Sequence, residues 1–94
     1  MSRPTDGKHE IVNDLGLHAR AASKFVRVAN DFEAEVWLGH GGREVNGKSI
    51  LELMTLNASE GTELEVRAWG GDAEALLGEL EALVKTGFGE EIAS

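Results

Sequence analysis

The chain has 94 residues, with 9 basic against 17 acidic side chains, a formal charge of −8 and no cysteine. That length suits one domain with a single modest core, so residues 1–94 are read as one unit with loose termini at 1–7 and 90–94. The charge argues against binding a nucleic-acid backbone, which needs clustered Lys and Arg, and the missing thiols exclude a disulfide framework or thiolate metal site. No stretch approaches membrane-spanning length and Met1 to Gly7 lacks the apolar run of a signal peptide. A cytoplasmic protein with no membrane insertion is expected.

The first strand is expected over Lys8 to Asn13, ending in a turn built from Asn13, Asp14 and Gly16. An amphipathic helix follows over Ala19 to Asn30, because Ala22, Phe25, Val26, Ala29 and Phe32 recur at three and four and share one face. Ala34 to Leu38 alternates as a strand, and Gly39 His40 Gly41 Gly42 is a flexible hairpin turn leading to Arg43 Glu44 Val45. Asn46 Gly47 ends that strand. Ser49 opens a short helix reaching Leu56, with Glu52 three residues later completing a capping box. Ile50, Leu53 and Leu56 give it an inward face, leaving Leu51 and Met54 partly exposed. The last strand, Glu63 to Trp69, alternates Leu64, Val66 and Ala68 with Glu63, Glu65 and Arg67. After Gly70 Gly71, Asp72 caps a final helix whose core stripe is Ala73, Leu76, Leu77, Leu80, Leu83 and Val84, with Gly87 as its stop. The order is β-α-β-β-α-β-α, and the helices should cover one face of an antiparallel sheet while the other stays solvated.

His18 falls at or beside the N-cap of the first long helix. The first N–H groups of a helix lack acceptors and carry the positive end of its dipole. Such an end disfavours a second positive charge, and neutral imidazole is the nucleophilic form. An anion attached to the ring would meet free N–H donors and the Arg20 guanidinium, whose fork matches phosphate oxygens. A histidine here can therefore accept a phosphoryl group and hold it. Taken alone, His-x-Arg at a helix start is far more often a polar cap beside a solvated charge than a phosphoryl site. His9 and His40 have no ligand-like spacing relative to His18, so no metal site is expected and both are read as solvated histidines. Trp37 and Trp69 are read as packing residues on strands. No carboxylate pair, nucleotide-type phosphate loop or serine or cysteine triad is present, so the chain has no equipment to catalyse a reaction alone.

Gly16 Leu17 His18 Ala19 Arg20, then Ala22, Phe25 and Val26, then Val45 Asn46 Gly47 Lys48 Ser49 Ile50 and Met54, resemble the HPr family, the histidine-containing phosphocarriers of the phosphoenolpyruvate-dependent phosphotransferase system. The resemblance runs from about Lys8 to Gly89. It implies an α+β fold, the HPr-like open-faced β-sandwich: a four-stranded antiparallel sheet covered on one face by three helices. It also implies a monomeric carrier rather than an enzyme, without cofactor. Enzyme I would phosphorylate Nδ1 of His18, and the group would pass to a histidine of a sugar-specific enzyme IIA. The N–H groups of Ala19 and Arg20 and the Arg20 side chain would hold it.

The same resemblance places a partner surface on the first and short helices, with Leu17, Leu51 and Met54 at its centre and Lys24, Arg27 and Lys48 at its rim. Ser49 matches the serine that a dedicated HPr serine kinase phosphorylates in many Gram-positive members, which weakens transfer through the histidine. Two positions depart from the family pattern. Ala21 stands where proline is usual, and Glu52 where glycine is frequent, which bears on partner choice rather than chemistry. Two alternatives stay open: a regulatory module of the nitrogen-related branch, and an interaction domain in which His18 only caps a helix.

Overall fold

The computed structural model describes residues 5–90. Its elements are β1 (Thr5–Glu10), α1 (Ala19–Ala29), β2 (Glu35–His40), β3 (Arg43–Asn46), α2 (Ile50–Met54), β4 (Glu63–Trp69) and α3 (Ala73–Lys85), followed by a 3-10 turn at Gly87–Gly89. β4 has the cleanest alternation and lies inside the sheet. Leu64, Val66 and Ala68 are buried, while Glu63, Glu65 and Arg67 face water, the pattern of a sheet covered on one side. β1 pairs with β4 from Thr5↔Ala68 to Glu10↔Glu63, and β2 lies on its other side from Glu35↔Trp69 to Gly39↔Glu65. The order is β1-β4-β2-β3, antiparallel throughout. Three helices on an open four-stranded sheet is the expected fold.

The core lies between sheet and helices. Phe25 of α1, Leu53 of α2 and Leu76 and Leu80 of α3 are fully buried with Leu38, Leu64 and Val66 of the sheet. Each such side chain contributes roughly 1.5–3 kcal/mol of transfer free energy. Trp37 and Trp69 are half-buried.

Several boundaries differ from those read off the sequence. β1 starts at Thr5 rather than Lys8 because β4 supplies pairing partners as far as Ala68. Residues 5–7 are therefore strand, while the expected loose ends at 1–4 and 91–94 lie outside the described residues. β1 stops at Glu10 because β4 begins at Glu63, its partner. β2 runs on to His40, so the hairpin loop shrinks to Gly41 and Gly42. Their φ of 60° and 82° suit a two-residue turn that needs left-handed backbone at both central positions. α2 is five residues long; Thr55 and Leu56 close its end with i→i−3 bonds to Glu52 and Leu53.

Two capping assignments also change. Asp72 makes no side-chain cap bond to α3; its two carboxylate oxygens accept the Glu33 and Ala34 N–H groups at 2.9 Å each. Those donors at the entry to β2 hold its carboxyl below the usual range. At α2, Ser49 Oγ accepts the Glu52 N–H at 3.2 Å as expected, but the Glu52 carboxylate turns to the Asn46 N–H at 3.1 Å. Ser49 N–H already donates to the Asn46 carbonyl at 3.2 Å. His9, read as solvated, is 5% exposed because its strand position faces the helices.

Candidate functional site

The loop between β1 and α1 begins with Asn13, whose amide is fully buried and donates from Nδ2 to the Gly16 carbonyl at 2.8 Å. Gly16 has φ of 70°, the left-handed backbone that glycine adopts at least cost. The Leu17 N–H then donates to the Ala58 carbonyl at 2.8 Å, tying this loop to the segment after α2. The chain arrives at His18 extended, with φ −81° and ψ −177°, and turns into α1.

His18 is the N-cap of α1. Its Nδ1 accepts the Arg20 N–H at 3.2 Å. A backbone N–H can only donate, so Nδ1 carries the lone pair and the ring proton belongs on Nε2. Nε2 lies 2.9 and 2.8 Å from the two oxygens of Glu90, which is an acceptor when ionised. The ring is thus gripped on both nitrogens, with 27% of its side chain exposed against 12% for Glu90.

Glu90 comes from the far end of the chain. After α3, Gly87, Phe88 and Gly89 adopt φ of 65°, 58° and 73° in succession. The Phe88 ring is 1% exposed in the core, and Lys24 Nζ donates to the Phe88 carbonyl at 2.6 Å. Asn13 Nδ2 reaches Glu90 Oε1 at 3.0 Å. The hydrogen bond to His18 holds the Glu90 carboxyl below its ordinary value; burial opposes this, while Asn13 and the charges of His18 and Lys24 assist.

The Arg20 guanidinium is exposed and enters no ion pair among the described residues. Arg20 and Lys24, with Asp14, Leu15, Gly89 and Glu90, line an open cleft of 390 Å³ beside the histidine. A second cleft of 290 Å³ on the other side is lined by His18, Ala19, Leu15 and Met54 among others. The first cleft mixes two basic with two acidic side chains, and the second, which His18 itself lines, is more apolar. Among the described residues, no three His, Asp or Glu side chains gather as a metal site.

The structure brings together His18, Ala19, Arg20, Lys24 and Met54. Leu51 is 78% and Met54 40% exposed, both on α2. Leu17 does not join them: it is 4% exposed, because the Gly16 turn and the bond to Ala58 direct it into the core. Leu15, 72% exposed, occupies the surface instead, and Ile50, expected to face inward, is 38% exposed. Lys48 lies elsewhere. Its Nζ donates to the Phe32 carbonyl at 2.8 Å, at the opposite end of α1 from His18, a helix of about 16 Å. Ser49 shares that end, since the other end of α2, at Met54, is the one facing His18. Arg27 is exposed on α1 between the two.

Asn13 and Glu90 were missed as site residues, Asn13 being read only as turn chemistry and Glu90 as a loose end. Of the Gly-Phe-Gly triplet after α3 only Gly87 is read from the sequence, as a helix stop; an apolar Phe88 between two glycines is the signal that could have indicated an anchored turn.

A family model described as PTS HPr component phosphorylation site matches residues 6–86. A phosphocarrier protein HPr of Neisseria meningitidis is 46% identical over 81 residues, covering 86% of this chain and 91% of the relative. A phosphocarrier protein NPr of Escherichia coli is 39% identical, covering 87% and 92%. Among solved structures, an HPr of Thermoanaerobacter tengcongensis superposes with a TM-score of 0.89 at 38% identity, covering 94% of this chain and 99% of that one. Fold, sequence and family model agree, and the chain belongs to the HPr family of phosphocarrier proteins.

Proposed function

We propose that the protein carries a phosphoryl group on Nδ1 of His18, taken from phosphorylated enzyme I and passed to a histidine of an enzyme IIA. The observation that carries this is the tautomer: Nδ1 faces the N-terminus of α1 with its lone pair, and Nε2 is held by Glu90. As the Nδ1–P bond forms, the donor's P–N bond breaks. The Arg20 N–H that rests on Nδ1 at 3.2 Å is then free to donate to a phosphoryl oxygen, with the Ala19 N–H and the exposed Arg20 guanidinium beside it. Donors already in place stabilise developing charge without reorganisation. Onward transfer reverses the step, so the carrier needs to hold the group only moderately.

The exposed apolar residues Leu15 and Met54 beside the histidine, with Leu51 exposed on the same short helix as Met54, suit a transient partner surface, with Arg20 and Arg27 at its edge. A partner whose own active centre is rimmed by carboxylates matches that edge. No helix among the described residues is long and apolar enough to cross a membrane, in keeping with a carrier that diffuses in the cytoplasm between donor and acceptor.

The test is incubation with phosphoenolpyruvate and enzyme I, followed by intact mass and phosphorus NMR of wild type and His18→Ala. One acid-labile phosphoryl group on Nδ1 in the wild type alone is expected. A modified His18→Ala protein, or an unmodified wild type, overturns the assignment. A second reading places the carrier in the nitrogen-related branch, favoured by the 39% identity to an NPr. Transfer from the phosphorylated protein to a sugar-specific or a nitrogen-branch enzyme IIA separates the two.

A further inference from the structure

We propose that Glu90 is a positioning residue for His18: its carboxylate holds the Nε2–H, leaves Nδ1 as the nitrogen with the lone pair, and balances the positive charge the ring acquires when the Nδ1–P bond forms. The proposal rests on His18 being the phosphoryl acceptor. Glu90 lies beyond residues 6–86 that the family model matches and is delivered by the turn at Gly87–Gly89.

The geometry forms a continuous chain of hydrogen bonds. The Gly16 carbonyl accepts Asn13 Nδ2 at 2.8 Å, and the same Nδ2 reaches Glu90 Oε1 at 3.0 Å. Both Glu90 oxygens lie within 2.9 Å of His18 Nε2, and His18 Nδ1 receives the Arg20 N–H at 3.2 Å. A carboxylate behind an imidazole, itself oriented by a third group, fixes the ring's tautomer and rotation and stabilises the imidazolium state.

The turn that delivers the carboxylate is heavily determined. A non-glycine residue in left-handed backbone is energetically unfavourable, yet Phe88 adopts it at φ 58° between Gly87 at 65° and Gly89 at 73°. The buried Phe88 ring and the Lys24 bond to its carbonyl hold that conformation. Such strain persists where the surroundings over-determine it, and here its outcome is a carboxylate on the ring nitrogen that does not react.

The chemistry balances. The Nε2 proton stays where it is while the Nδ1–P bond forms and the donor's P–N bond breaks, so the imidazole becomes a phosphorylated imidazolium facing Glu90. No proton has to leave during transfer. When the group moves on, the Nδ1–P bond breaks and the ring returns to its neutral Nε2–H form. The negative charge sits on the Nε2 side of the ring, and the N-terminus of α1 on its Nδ1 side.

The test combines histidine-ring nitrogen NMR, read at alkaline pH where imidazole is uncharged, with the rate of phosphorylation by enzyme I. Wild type should show His18 as one Nε2–H tautomer. Glu90→Ala should give a mixture of tautomers and slow phosphorylation about tenfold or more. Glu90→Gln keeps an acceptor for Nε2–H but removes the charge; it should retain the tautomer and accept phosphate at an intermediate rate. A purely structural Glu90 would not separate Gln from Ala in this way. Wild-type tautomer and rate in Glu90→Ala would overturn the proposal. If wild type takes no phosphate at all, the carrier assignment fails, while the tautomer comparison still decides whether Glu90 positions the ring.

Discussion

Gly16 and Ala58 meet backbone to backbone: a Cβ on residue 16 would stand 2.5 Å from the Ala58 carbonyl oxygen and 2.9 Å from the Ser59 Cα. That oxygen also accepts the Leu17 N–H, so the approach holds the loop carrying His18 against the end of α2. Gly16→Ala adds this clash to a strained φ of 70°. It should cost about 1–3 kcal/mol and lower the midpoint of urea unfolding. Phosphoryl acceptance at His18 should fall with it, because the Leu17 to Ala19 backbone must shift to relieve the contact.

Phe88 anchors the C-terminal turn through its ring, and its removal leaves a cavity between α3 and α1. Phe88→Ala should destabilise the domain by about 3 kcal/mol, measured by denaturant unfolding. The same variant should lose the Glu90 contact to His18, seen as averaging of the two imidazole tautomers.

The depressed Glu90 carboxyl makes a prediction about pH. Its folded value lies below the ordinary 4.5 chiefly through the bond to His18. Stability from this group is therefore fully present above pH 4.5 and is lost as pH falls through the folded value. His18→Ala should bring the carboxyl back toward 4.5 in a carbon-detected titration, without fully reaching it while Asn13 still donates. The variant's acid unfolding limb should be correspondingly shallower.

Burial lowers the His9 imidazole below its ordinary 6.5, and Glu81 only partly offsets this. His9 Nδ1 finds no partner among the described residues, and Lys8, Glu10 and Lys85 are the other charges around it. Between 6.5 and the lower folded value, the unfolded chain binds the proton and the folded one does not. Stability should fall as pH drops through that window. His9→Leu should match or exceed wild-type stability at neutral pH and lack this decline, which thermal unfolding at a series of pH values would show.

Ser49 Oγ caps a helix of five residues by accepting the Glu52 N–H. Ser49→Ala should cost about 1 kcal/mol. It should leave phosphorylation at His18 unchanged, since Ser49 lies at the end of α2 away from the histidine.

The local pattern alone determined much of this protein. Period-two alternation in Glu63 to Trp69 and the three-and-four spacing of Ala22, Phe25, Val26 and Ala29 report which face is apolar, a property of each segment by itself. They therefore yielded the element order, the covered sheet face and the place of His18 at a helix N-cap. The His18 and Arg20 pair was legible for the same reason, since both lie within one turn of that cap. Tertiary structure decided everything that depends on residues far apart in the chain. Glu90 stands 72 positions from His18, and nothing in its neighbourhood announces a partner until Phe88 is buried and the turn is aimed. Asp72 looked like a cap because it precedes a helix, but its carboxylate found the better donors at Glu33 and Ala34 across the fold. Leu15 and Leu17 are both leucines two residues apart in one loop. Only the left-handed turn at Gly16 and the bond to Ala58 determine which faces the core and which faces water.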